Sequence, residues 1–153
     1  MRLLIKKVGK STYDPETDKI SNFWLIGELK NGKEIQMLDN LPYDLRDFVN
    51  QELDCLLFMS LSGIQIDNNT KDEPETPILK GTYIGKYEIS NKWKIPQYFQ
   101  LKYDHIEYFH AIKTEYGIFI TSPGDIDYYT INEGEEFTFQ AIEFEIWTWQ
   151  PIK

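Results

Sequence analysis

The sequence predicts a mostly β fold: a curved antiparallel sheet or small barrel, with one short α-helix at about residues 42–50. Three observations predict it. Rings are abundant, with ten Tyr, nine Phe and four Trp in 153 residues, and aromatic side chains fit pleated, half-buried surfaces. Short runs of alternating apolar and polar residues recur along the chain, bounded by turn residues. The last of these runs also changes parity. Phe137, Phe139 and Ala141 share one face, Ile142, Phe144 and Ile146 take the opposite parity, and Trp147 and Trp149 switch back. A β-bulge, or a strand bent round a barrel corner, produces that pattern.

The elements follow in order. Leu3 to Val8 is a short apolar-rich strand. Phe23–Leu29 and Lys33–Leu38 flank Lys30-Asn31-Gly32, and Asn-Gly between two such runs marks a hairpin because both residues tolerate positive φ. In DNLPYDLRDFVNQEL, Leu41, Leu45, Phe48 and Val49 recur at helical spacing, with Pro42 where a first turn accepts it. Leu53, Cys55, Leu57, Met59 and Leu61 then alternate along one face of a long strand. Further strands are expected at Thr82–Ile89, Tyr116–Thr121, Ile126–Ile131 and Glu136–Thr148, with SPGD (122–125) and NEGE (132–135) as turns. The segment DHIEYFHAIK (104–113) fits a strand or a short turn of helix, since Asp104 and Glu107 have capping-box spacing.

The polar stretch IDNNTKDEPETP, residues 66–77, reads as an exposed loop or linker between two β-rich halves. A single domain spanning 1–153 is expected, because either half alone would have too small a core. The N-terminal apolar run is only three residues long before Lys6 and Lys7, too short for a signal peptide, and no stretch approaches the ~20 apolar residues of a membrane span. Cys55 is the only cysteine. It reads as a small buried hydrophobe rather than a nucleophile. Together these features give the expectation of a cytoplasmic protein with no membrane role.

Motifs of chemistry are missing from the sequence. His105 and His110, five apart, cannot converge on one ligand from a single strand or helix. Glu143 and Glu145 are expected on the solvent side of an amphipathic strand. There is no phosphate loop, nucleophile elbow, zinc-protease motif or calcium loop. No catalytic residues, metal ligands or cofactor are therefore expected, and an enzyme reading ranks low.

Charge is uneven. The net is −9, yet residues 78–103 hold five lysines and one acid, while residues 104–153 hold two basic and ten acidic residues. A nucleic-acid platform needs rings and lysines on one surface. In a strand from Lys80 to Ile89, however, Tyr83, Tyr87 and Ile89 share one face, and Lys80, Thr82, Ile84 and Lys86 share the other. The order of strands, helix and long strand, with GTYIGKYEI, GIFITS and INEGEEFTFQAIEFEI in the second half, resembles an OB-type barrel in pattern. That resemblance implies single-strand nucleic-acid binding as the alternative function, through Lys80, Lys86, Lys92, Lys94, Tyr98 and Lys102. The acidic remainder of the surface opposes it.

The leading expectation is a non-catalytic binding module for a protein partner, with an acidic immunity- or inhibitor-type protein for a basic partner as its specific form. Acidic surface steers such association, and exposed rings anchor it. The residues expected to face the partner are Asp125, Asp127, Tyr128, Tyr129, Glu135 and Glu136.

Overall fold

The structure, a computed structural model, describes residues 1–14, 19–41, 44–89, 93–95, 97–104 and 106–152, and for 10–14, 19–22, 38–41, 98 and 102 the backbone alone. The fold is mostly β. Its strands are β1 (Arg2–Asp14), β2 (Lys19–Glu28), β3 (Glu34–Leu41), β4 (Glu52–Gly63), β5 (Ile78–Tyr87), β6 (Phe109–Thr114), β7 (Gly117–Thr121) and β8 (Glu136–Pro151). Two short helices, α1 (Gln97–Lys102) and α2 (Pro123–Tyr129), lie between strands. The strands form one sheet in the order β3-β2-β1-β4-β7-β6-β5-β8, and β8 pairs back onto β4, so that five strands close into a ring. The sheet is mixed rather than wholly antiparallel. Ring closure sets β4 and β7, from the two halves of the chain, side by side and parallel at Phe58 and Ile120. Strands β1–β3 stand outside the ring as its extension, joined where Leu3 faces Leu53.

Local sequence explains most of this. Between β2 and β3, Asn31 and Gly32 take φ of 65° and 81°, the left-handed values a tight hairpin requires. Between β1 and β2, the indole of Trp24 lies across Gly9, where a Cβ would come within 2.1 Å of the ring. Glycine leaves the gap, and the ring of the opposite residue fills it.

The parity change in β8 has two bulges behind it. Phe58 faces Glu145, but Ser60 faces Ile142, so β8 carries an extra residue there, and Glu143 takes a φ of 53°. Leu56 faces Thr148 and Leu57 faces Ile146, so the register skips Trp147. Trp149 therefore returns to the main core, edge-on to Phe48, while Trp147 turns to the other face.

The two faces bury two clusters. The main core gathers Leu3, Ile5 and Leu25 with Leu57, Phe119 and Phe144, drawing on both sides of residues 66–77. Cys55 sits in it, and burial pushes its thiol up to about 12. The second cluster lies on the outside of the ring. There Trp147 is sandwiched between Phe58 (5.2 Å between centroids) and Phe99 (5.6 Å), with Tyr103 and Phe109 against it. The segment after β5 supplies Trp93, Ile95, Phe99 and Tyr103 to this cluster, so it works as a strap across the outer face.

Four expectations need correction. Around residues 42–50, the described part is a single 3₁₀ turn, Arg46–Phe48, while Pro42 and Tyr43 lie outside the described residues. An α-helix cannot continue there because the backbone is committed to β1. Asn50 donates to Ile5 at 2.7 Å, and Ile5 donates to Gln51 at 3.0 Å. Residues 126–131 are not a strand. SPGD starts α2 instead, with Pro123 in its first turn and Thr130 closing it in the left-handed region. In DHIEYFHAIK, the strand begins only at Phe109. Glu145, expected in solvent, is 4% exposed, because the strap covers the face opposite Phe144 and Ile146 and Tyr103 donates to its carboxylate.

Residues 66–77 have no regular structure but are fastened at several points. Asp67 accepts from the amides of Asn69 and Thr70. Lys33 reaches Asp72 at 2.5 Å, and Gln36 donates to the Pro74 carbonyl at 2.7 Å. Gln140 also donates to the carbonyls of Lys71 and Thr76.

Candidate interaction surface at the second helix

The surface begins with a bulge in β5. Tyr83 faces Ile112 and Gly85 faces Ala111, so Ile84 is the extra residue and is 39% exposed. Gly85 has a φ of 95°, and a Cβ there would meet the Glu133 carboxyl at 3.0 Å. Glycine thus lets the 132–135 turn lie directly on β5. Gly134 donates to the Tyr83 carbonyl at 2.7 Å, and the Tyr83 amide donates to Glu135 at 3.0 Å.

The helix α2 is held by its inner face. Ile126 is buried in the main core and Tyr129 packs against it. The Asp125 carboxylate accepts from the Leu61 amide at 3.0 Å and from the Thr121 hydroxyl at 3.2 Å. The Tyr129 hydroxyl donates to the Leu61 carbonyl at 3.4 Å. The opposite face is free: Asp127 is exposed, and Tyr128 is 80% exposed, edge-on to Tyr129.

Beside α2, His110 is 6% exposed. Its Nδ1 is hydrogen-bonded to the Tyr83 hydroxyl, and the rings of Tyr83 and Tyr108 meet it edge-on. Lys86 lies with its ammonium 4.2 Å from the centre of the Tyr108 ring. Burial lowers the His110 pKa; Asp127 opposes that shift and Lys86 adds to it. Burial raises the Tyr83 pKa, with Glu133, Tyr108 and Asp127 acting in the same direction. A hollow of about 450 Å³ opens between Tyr108 and the start of α2, lined by Ile106, Glu107, Ser122, Pro123 and Gly124 as well. His110 is not on its lining.

The residues singled out in the sequence divide accordingly. Asp127 and Tyr128 share the outward side of α2, while Asp125 and Tyr129 point inward as ties. Glu135 is exposed and accepts from the Asn132 amide, and Glu136 pairs with Lys80 at 2.9 Å. Lys86 rests on Tyr108, and Lys94 is exposed on the strap. Lys92 and His105 lie outside the described residues, as do the side chains of Tyr98 and Lys102. Of the rings in residues 79–103, Tyr83 is in the main core, and Tyr87, Trp93, Phe99 and Tyr103 are in the second cluster. Ile84, Tyr108 and the Tyr83–His110 pair were not visible as a site. The two members of that pair stand 27 positions apart, and the pairing of β5 with β6 brings them together.

Among the described residues, no cluster of His, Cys, Asp and Glu could hold a metal ion, and no helix is long and apolar enough to cross a membrane. Comparison with family models, with curated proteins and with solved structures found no match.

Proposed function

We propose that the chain is a non-catalytic, cytoplasmic binding module that docks a basic protein on the outward side of α2. The observation that carries this reading is Tyr128. A large ring that is 80% exposed, on a helix anchored by its other face, is a ready anchor. Asp127 lies beside it, and Glu133 and Glu135 are exposed in the next turn, which supplies charge complementary to a cationic partner. The Lys86–Tyr108 pair shows the same kind of contact within the molecule, a cation on a tyrosine face.

Strand pairing supports an OB-type assignment for the ring. Strands β5, β6 and β7 form a meander, β7 runs parallel to β4, β8 lies between β4 and β5, and α2 follows the third strand of the meander. We read this as an OB barrel whose fifth strand comes first in the chain. OB barrels bind oligonucleotides over their second and third strands. Here the corresponding strands contribute Phe109 and Ile120 to the cluster under the strap, so the chain's own rings fill that face. This favours a protein partner over a nucleic acid.

The test is affinity capture from host extract with the wild type and with Asp127→Lys/Tyr128→Ala, at about 50 mM and about 500 mM salt, to either side of physiological screening. The expected result is a basic protein retained by the wild type at low salt, lost from the variant, and associating with the wild type at least ~10-fold faster. A partner held equally by the folded variant overturns the reading. Binding of a labelled oligonucleotide at low salt favours the nucleic-acid alternative.

A further inference from the structure

The hollow between Tyr108 and the start of α2 is defined by its walls. Ile106 and Pro123 are apolar, Tyr108 offers a ring that is 37% exposed, and Glu107, Ser122 and Gly124 complete the lining. These residues include an acid and no base. Glu107 is exposed and, among the described residues, in no ion pair. The Ser122 hydroxyl does not cap α2, so its oxygen is able to accept from another donor. Gly124 keeps the space open although crowding does not demand glycine. A Cβ there would come no nearer than 3.9 Å to the Ser122 Oγ, an ordinary contact. A volume of about 450 Å³ suits a side chain or a small molecule.

We propose that this hollow receives an arginine side chain of the basic partner, with the Glu107 carboxylate on the guanidinium and the Tyr108 ring against its plane. Arginine presents a planar fork of N–H donors that meets a carboxylate with paired hydrogen bonds and stacks on aromatic rings. Its methylene stem suits the apolar walls of Ile106 and Pro123. Tyr108 already holds a cation, for the Lys86 ammonium is 4.2 Å from the ring centre. Lys86 repels a second cation, and the Glu107 carboxylate offsets that repulsion. An anion would meet Glu107 with no base in the lining to compensate. The start of α2 gives an anion little help, since Pro123 has no amide hydrogen and Asp125 stands in the first turn. The hollow thus adds a shape requirement to a surface otherwise defined by charge and one exposed ring.

This inference rests on the docking reading for its biological occupant, but its test needs no partner, so the two ideas fail separately. The probe is N-acetyl-arginine amide, titrated into the isotope-labelled full chain and followed by the backbone amides in NMR. Millimolar affinity is expected of so small a ligand, with shifts centred on residues 106–108, 122 and 124. The uncharged analogue N-acetyl-citrulline amide should bind more weakly. Glu107→Gln should weaken the arginine probe about 2–5-fold, the range of an exposed ion pair. Gly124→Leu keeps every charge and fills the hollow, so it should abolish binding. The proposal is overturned if those amides do not move, if the citrulline probe binds equally well, if inorganic phosphate shifts them instead, or if folded Gly124→Leu binds as the wild type does. Should Gly124→Leu not fold, an unchanged affinity in Glu107→Gln is the overturning result. A basic protein captured through Asp127 and Tyr128, with no arginine probe bound, sinks this inference and leaves the docking reading standing. A bound probe with no captured partner does the reverse.

Discussion

The Tyr103 hydroxyl stands 3.2 Å from each carboxylate oxygen of Glu145. This contact joins the strap to β8 across the second cluster, and the Trp147 indole donates to the same carboxylate at 3.1 Å. Hydrogen bonds to a charged acceptor contribute about 1.5–3 kcal/mol each. Tyr103→Phe keeps the ring in its stack and removes the donor alone. It is expected to lower stability within that range, read as a lower urea midpoint at unchanged slope. A variant with the wild-type midpoint would show that the strap is held by its rings only.

Stability should also respond to His110. Its folded pKa lies below the ordinary value, chiefly because burial disfavours the cation. Below about pH 6.5 the unfolded chain takes up a proton that the folded chain resists, so stability falls as pH drops. The loss accumulates between that value and the lower folded one, then stops. Urea unfolding of wild type and His110→Gln across this window isolates the effect. The difference between them should shrink with acid above the folded value and stay level beneath it. A difference independent of pH contradicts the burial argument.

Asp72 fixes the connection between the two halves. Burial would raise its pKa, but Lys33 and the Ile78 amide outweigh burial and hold it below the ordinary carboxylate range. The stabilisation is therefore present at neutral pH and is lost as pH falls through that lowered value. The Asp72 side chain is 48% exposed and that of Lys33 is half-buried, so solvent screens the pair and Asp72→Asn should cost about 1 kcal/mol or less. Its larger effect is local: limited proteolysis within residues 66–77 should accelerate. Because the main core spans both halves, we expect heat to give one cooperative transition in wild type and variant alike. Two transitions would show that the halves unfold separately.

Legibility followed the range of the interaction. Asn31-Gly32 named its own turn, since both positive φ values are settled by the two residues themselves. The parity change in β8 was readable because alternation has a period of two, and one extra residue inverts it. Ile126–Ile131 misled for the same reason. Ile126 and Ile131 bracket polar residues as in a strand, but Pro123 and the tie from Asp125 to Leu61 favour a helix, and Leu61 lies 64 positions away. Lys80 and Glu136 appeared under different readings and turn out to be partners. Tyr128 was legible as a candidate anchor, whereas nothing near Tyr83 in the sequence points to His110.

The ring has a consequence for biosynthesis. Its seam joins Leu53 to Pro151, so β4 leaves the ribosome about 98 residues before the strand that closes on it. At ordinary translation rates of about 5–20 residues per second, that is a wait of roughly 5–20 s. Throughout it, Cys55, Leu57 and Met59 lack β8, and the neighbours available to β4 are β1 and, late in the interval, β7. Such a nascent strand is a natural client for a holding chaperone, and the chain cannot acquire its barrel until its final strand has emerged.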